Sequence, residues 1–128
     1  MNTAWTKKQW DEFMDEFKGK FNDTFIEEKD AVYDTVCVLL NTLYKPDSSS
    51  KRVVIPDEER LKQYDLSIED LDGNIEPLVG LVKGIDGKFC VVISSKSKKL
   101  AKWLELELRR CGWNYHVLTI LELSRIDY

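Results

Sequence analysis

The chain has 128 residues, of which 43% are hydrophobic and 33% are charged, as in one compact globular domain. It lacks the run of about 20 apolar residues that a membrane-spanning helix needs. Its first eight residues contain no apolar stretch of the kind found in secretory signals. Three cysteines cannot all pair internally. These features predict a single domain over 1–128, located in the cytoplasm.

The segment 4–45 is predicted to contain two helices. After each of two capping-box signatures, apolar side chains recur at helical spacing. The signatures are Thr6 with Gln9 and Thr24 with Glu27. Pro46 is predicted to end the second helix, because the residue before a proline resists helical geometry. One continuous kinked helix is the alternative.

The segment 46–76 is predicted to be a loop, a short strand over 52–55 and an acidic surface region. Pro56 is expected to be the first residue of a short helix. From Asp57 to Glu76 there are eight acids and two bases, whereas Lys83 to Arg110 contains eight bases and three acids. Such segregated charge can steer a charged partner. The alternative is that the two segments pair with each other or keep the fold in solution.

The segment 77–128 is predicted to form a β-hairpin and a strand–helix–strand unit. Its strands are expected over 78–85, 88–94 and 115–123, and its helix over 97–111, closed by Gly112. The two hairpin strands do not alternate apolar and polar residues, which is typical of strands covered on both faces. The expected fold class is therefore mixed α/β, a small sheet covered by helices. The expected core includes Trp10, Phe17, Val36, Leu40, Val92, Leu104 and Leu118.

The element order over 77–123 resembles the core of restriction-endonuclease-like nucleases. Those enzymes place a metal-binding acid-x-lysine triplet at the position of Val92–Lys96. Ser94 stands where the acid of that triplet would be. The resemblance therefore implies a nuclease-like fold that has lost catalysis, since two metals are not held without carboxylates.

The sequence predicts no catalytic residue, no metal site and no cofactor. His116 is the only histidine and is interpreted as a structural residue of a strand. The cysteines, at positions 37, 90 and 111, are expected to pack in apolar faces. Asp70–Asn74 is interpreted as an acidic turn, since it lacks the spacing of a calcium loop. No phosphate-binding glycine motif is present.

The predicted function is that of a small non-catalytic protein that binds and modulates another macromolecule, as toxin-immunity and phage counter-defence proteins do. Its candidate partner-binding residues are Asp57, Glu58, Glu59, Glu69, Asp70 and Asp72. The alternative is a protein that binds nucleic acid or nucleotide phosphate at the start of the third long helix. The residues for that alternative are Ser95, Lys96, Lys98, Lys99 and Lys102, extended along the helix by Arg109 and Arg110. An enzyme with paired carboxylates is a third hypothesis, for which no suitable acid pair is evident.

Overall fold

The computed structural model describes residues 8, 12, 21–22, 28–71, 75, 77–82 and 89–124. Four helices have their bounds within these ranges: α1 (Lys29–Asn41), α2 (Glu58–Gln63), α3 (Lys98–Arg110) and α4 (Ile120–Ser124). The strands are β1 (Phe21–Asn22), β2 (Tyr44–Asp47), β3 (Ser50–Pro56), β4 (Pro77–Val82), β5 (Phe89–Ile93) and β6 (His116–Thr119). No helix of the described ranges is long and apolar enough to cross a membrane.

Two sheets are present among the described residues. The larger has the order β1-β4-β5-β6, in which β4 is antiparallel to β1 and β5, and β5 is parallel to β6. This arrangement confirms the predicted hairpin and the strand–helix–strand unit; the hairpin's turn lies outside the described residues. Gly112 ends α3 with a φ of 92°, as expected for a residue that closes a helix.

The core lies on both faces of this sheet. Val91, Val92 and Ile93 are all completely buried. Neighbouring residues of a strand point to opposite faces, so both faces of β5 are covered, as the sequence predicts. On one face α1 and α3 pack together through side chains that include Val36, Leu40 and Leu104; α4 contacts β5 as well.

Two predicted core residues, Trp10 and Phe17, lie outside the described residues. Of the first predicted helix, Lys8 and Glu12 are described, and both are helical. The second predicted helix begins in the structure at Lys29, and its expected capping box at 24–27 is not within the described ranges.

Pro46 does not end that helix, which stops at Asn41. Instead Pro46 lies in β2, opposite Val54 of β3, and the predicted loop is the tip of a two-stranded hairpin. The Oδ1 atom of Asp47 accepts a 3.1 Å hydrogen bond from the N–H of Ser49, an Asx-turn that reverses the chain. A proline is tolerated here because β2 pairs on one side only among the described strands.

The prediction of a last strand over 115–123 is also wrong in its second half. It ends at Thr119, where α4 begins. Thr119 and Glu122 form a reciprocal capping box: Thr119 Oγ1 accepts from the N–H of Glu122, and Glu122 Oε1 accepts from the N–H of Thr119. These two bonds start a helix and override strand propensity. Leu118, predicted to be core, is only half-buried, and it lies in β6, an edge strand of the described sheet.

Candidate functional site

The segment that follows the β2–β3 hairpin turns sharply at the end of α2. The N–H of Leu66 bonds to the carbonyl of Leu61 at 2.8 Å, and the N–H of Asp65 to that of Lys62 at 3.2 Å. This is the Schellman pattern, and Asp65 takes the left-handed position with a φ of 56°. The turn brings Leu61 and Leu66 together, and both side chains are buried.

Leu61 and Leu66 form the floor of a surface groove of about 300 Å³, which we call the acidic groove. Ile68 also lines it and remains 46% exposed. The carboxylates of Glu58 and Glu69 border this apolar surface, together with a single lysine, Lys62. The groove thus combines exposed apolar surface with two acids that the sequence analysis assigned to partner binding.

The other predicted acids have different roles. Asp57 is the N-cap of α2, and its Oδ1 accepts from the N–H of Arg60 at 3.3 Å. Pro56 therefore precedes the cap rather than opening the helix. Glu59 is exposed on α2 outside the lining of the groove. Asp72 lies outside the described residues.

Asp70 is held inside a hydrogen-bonded cluster, which we call the junction. Its Oδ1 accepts a 2.6 Å bond from Ser97 Oγ, and its Oδ2 accepts from the N–H and Oγ of Ser67. Ser95 Oγ donates to the backbone carbonyl of Asp70 at 3.1 Å. The junction, which consists of Ser67, Asp70, Ser95 and Ser97, joins the 3-10 turn Ile68–Asp70 to the start of α3.

The junction also sets the titration of Asp70. Partial burial acts to raise the pKa of this carboxyl group. The hydrogen bonds from Ser97 and Ser67 and the charge of Lys99 act in the opposite direction and prevail, so that the pKa of Asp70 is lowered. The carboxylate is therefore ionised near neutral pH and occupies a fixed place in the fold.

The predicted anion site at the start of α3 coincides with the junction. Ser97 is the N-cap of α3, and its Oγ accepts from the N–H of Leu100 at 3.1 Å. Ser95 is completely buried and bonded to Asp70 and Ser97. The carboxylate of Asp70 thus stands where an external anion was expected. The acidic and basic segments therefore contact each other at this point. Pairing of the two segments was one of the alternatives for the segregated charge.

The predicted lysines are all exposed, and two of them line a second groove. Lys96 and Lys98 lie outside its lining, whereas Lys99 and Lys102 border it. This groove, of about 410 Å³, runs between the end of α2 and one face of α3, and we call it the basic groove. Leu66 lines both grooves, which therefore lie on either side of one residue.

Aromatic residues give the basic groove an apolar wall. The rings of Tyr64 and Trp103 lie 5.3 Å apart at 45°, and both line the groove together with Leu106. Trp103 is 7% exposed, and its indole Nε1 is buried with no hydrogen-bond partner in the part of the chain that the structure describes. This wall is not among the features predicted from the sequence, although the spacing of Lys99, Lys102, Leu106 and Arg110 places them on one helix face.

His116, which was considered for catalysis, lies beside an acid, and the three cysteines differ in their exposure. His116 Nδ1 lies 3.7 Å from Glu105 Oε1, which also accepts a 3.0 Å bond from the N–H of Val117. Burial raises the pKa of the Cys90 thiol to about 11, so it is protonated near neutral pH. Cys37 is half-buried, but Cys111 is exposed, contrary to expectation, because it lies at the end of α3.

Within the described ranges, no group of three or more acidic, histidine or cysteine side chains could hold a metal ion. Comparisons of the chain with protein-family models, with curated proteins and with solved structures find no match. The two grooves and the junction are therefore the basis on which a function is proposed.

Proposed function

We propose that this protein is non-catalytic and acts by binding a basic partner protein in the acidic groove, whose activity it modulates. The observation that carries the proposal is the groove itself, where an apolar floor with a half-exposed Ile68 is bordered by Glu58 and Glu69. Protein interfaces characteristically place an apolar anchor at the centre and charged groups at the rim.

The chemistry of the groove indicates the partner's surface. An aliphatic or aromatic side chain would contact Leu61, Leu66 and Ile68, while lysine or arginine residues beside it would face the two glutamates. Charged rims of this kind increase the rate of association and select against partners of like charge. Because Asp57 and Asp70 are engaged within the fold, the proposal rests on Glu58 and Glu69, with Glu59 nearby on α2.

The test is affinity capture from lysate of the native host with the full chain as bait. Three baits are compared: the wild type, Glu58→Lys with Glu69→Lys, and Asp30→Lys with Asp34→Lys as the control. The control makes the same change in net charge on exposed residues of α1. We expect the wild type and the control to capture one stoichiometric protein that the groove variant loses.

Captured protein should also dissociate as salt is raised, because charges more than about 8–10 Å apart are screened at physiological ionic strength. Nuclease treatment should leave the complex intact. If the groove variant retains the captured protein, the acidic groove is not the binding surface. If nuclease treatment removes the captured material, binding to nucleic acid through the lysines of α3 replaces this proposal.

A further inference from the structure

We propose that the basic groove is a second binding site, which accepts an acidic peptide segment carrying an apolar side chain. This inference does not depend on the function proposed for the acidic groove, because the two grooves share only Leu66. Three features of the groove support it: the line of cations along α3, the apolar wall, and the acids that also border it.

The cations form a line along one face of α3. Lys99, Lys102 and Arg110 all border the groove. Arg110 is eleven positions after Lys99, which corresponds to about 16 Å along a helix. An extended peptide of about five residues covers that distance. The cations can therefore meet carboxylates that are spread along a short segment.

The existing ion pairs leave these cations available to a ligand. Lys99 Nζ lies 3.9 Å from Asp65 Oδ2, and the two side chains are 67% and 98% exposed. Arg110 pairs with Glu107 at 3.3 Å, and the arginine side chain is 76% exposed whereas that of the glutamate is 17% exposed. Lys102 makes no ion pair with any described residue. Exposed pairs contribute little free energy, so a peptide carboxylate can replace Asp65 at small cost. The guanidinium of Arg110 has five N–H donors, so it can donate to a peptide carboxylate while it keeps its bond to Glu107.

The apolar wall would bind the apolar side chain of the peptide, whereas the cations would bind its carboxylates. Leu106 is 47% exposed beside the rings of Tyr64 and Trp103. An apolar ligand side chain placed here would remove Leu106 from water. The indole N–H of Trp103 has no acceptor among the described residues, and a peptide carbonyl could provide one if the ring turns slightly. The indole N–H resonance reports that movement directly.

The same geometry favours a peptide over a nucleic acid. Asp65 and Glu107 border the groove among the cations, and a phosphate chain, which carries one charge at every unit, would be forced near them. A peptide can place neutral residues opposite these acids. The volume of about 410 Å³ is also in the range of sites for a few side chains or a small ligand.

The test is an NMR titration of the ¹⁵N-labelled full chain with three probes of equal length. The first is a ten-residue peptide of glutamates interrupted by leucines, the second replaces every glutamate by lysine, and the third is a single-stranded oligonucleotide. Trp103→Phe identifies the indole signal of Trp103, and the other three indole signals are internal references. We expect the acidic peptide alone to shift the Trp103 signal, with saturation.

Variants locate the site. Lys102→Glu should weaken the binding of the acidic peptide about tenfold or more, because it places a carboxylate opposite the carboxylates of the peptide. Leu106→Ser should weaken it independently of salt. Lys45→Glu, the same change on an exposed residue of β2, should have no effect, and nor should Glu58→Lys with Glu69→Lys.

Three results would overturn the inference. The first is the absence of any shift of the Trp103 signal with the acidic peptide. The second is an equal loss of affinity in Lys102→Glu and Lys45→Glu, which would indicate a diffuse charge effect. The third is an oligonucleotide that shifts the same signal with equal or higher affinity, which would make the groove a phosphate-chain site.

Discussion

Two acidic regions lie side by side in this molecule and behave differently. The carboxylate of Asp70, in the junction, accepts three hydrogen bonds, two from the hydroxyl groups of Ser67 and Ser97 and one from the backbone N–H of Ser67, and it joins the 3-10 turn to α3. Glu69, the preceding residue, is exposed at the acidic groove and makes no such bond in the described structure. Both count equally in the composition. The difference lies in their hydrogen-bond partners and not in their charge. Asp70 stabilises the fold, whereas Glu69 is available for recognition.

The strongest test of this difference removes the carboxylate of Asp70. Asp70→Ala should lower the free energy of unfolding by about 1–3 kcal/mol, since hydrogen bonds to charged groups contribute that much and Ser97 Oγ would lose its acceptor. Urea denaturation followed by circular dichroism measures the change. Glu69→Ala is the matched control and should leave the denaturation midpoint unchanged. Equal effects of the two changes would show that the junction does not stabilise the fold.

The second test removes the other side of the junction. Ser97→Ala eliminates both the bond to Asp70 and the cap on the N–H of Leu100, and should cost about 0.5–2 kcal/mol. Ser97→Asp restores an N-cap acceptor but places a second carboxylate beside Asp70. It should therefore be no more stable than Ser97→Ala. Recovery of wild-type stability in Ser97→Asp would mean that the cap alone, without Asp70, accounts for the junction.

Much of the fold was predictable because local signals agreed with the tertiary structure. The runs around Val91 and the helix that begins after Ser97 have strong local patterns, and the structure confirms them. The end of the last strand is not predictable from the apolar run alone, which favours a strand through 123. Thr119 and Glu122 have capping-box spacing, and in the folded protein their two hydrogen bonds begin α4 within that run.

The candidate site was less predictable, for a physical reason. The acidic groove depends on a turn that brings Leu61 and Leu66 together. Asp65 closes this turn in the left-handed backbone conformation, a position that glycine occupies far more often than aspartate. The basic groove depends on Tyr64 and Trp103, which are far apart in the chain and meet only in the folded protein. The segregated charge indicates both the acidic and the basic segment. Which of their charged residues are exposed depends on the hydrogen bonds of the folded protein, which the sequence does not show.

Lowering the pH is expected to have a smaller effect on the free energy of unfolding. Because the pKa of Asp70 in the folded protein is below its unfolded value, its charge stabilises the fold above the unfolded pKa of about 3.9. That contribution is lost as the pH falls through the folded pKa. The difference in unfolding free energy between the wild type and Asp70→Asn should therefore be constant near neutral pH and shrink below about pH 4. If the two proteins still differ in unfolding free energy at low pH, the effect of Asp70→Asn is due to the shape of the side chain and not to its charge.

The smallest effect on stability is expected at the rim of the acidic groove. Glu58→Lys with Glu69→Lys should lower the urea midpoint at neutral pH only slightly. Neither residue forms an ion pair in the described structure and exposed charges add little to stability, but Glu58 lies in the first turn of α2, where an acid interacts favourably with the helix dipole. Adding Asp70→Lys to this variant should destabilise the protein, because an ammonium group cannot accept the bonds from Ser67 and Ser97. Any loss of partner binding by the triple variant would then reflect unfolding as well as recognition. The double variant alone separates the two. A small change in stability with lost binding assigns the rim to recognition, whereas a fall of the midpoint as large as that of Asp70→Ala would show that the rim, like the junction, belongs to the fold.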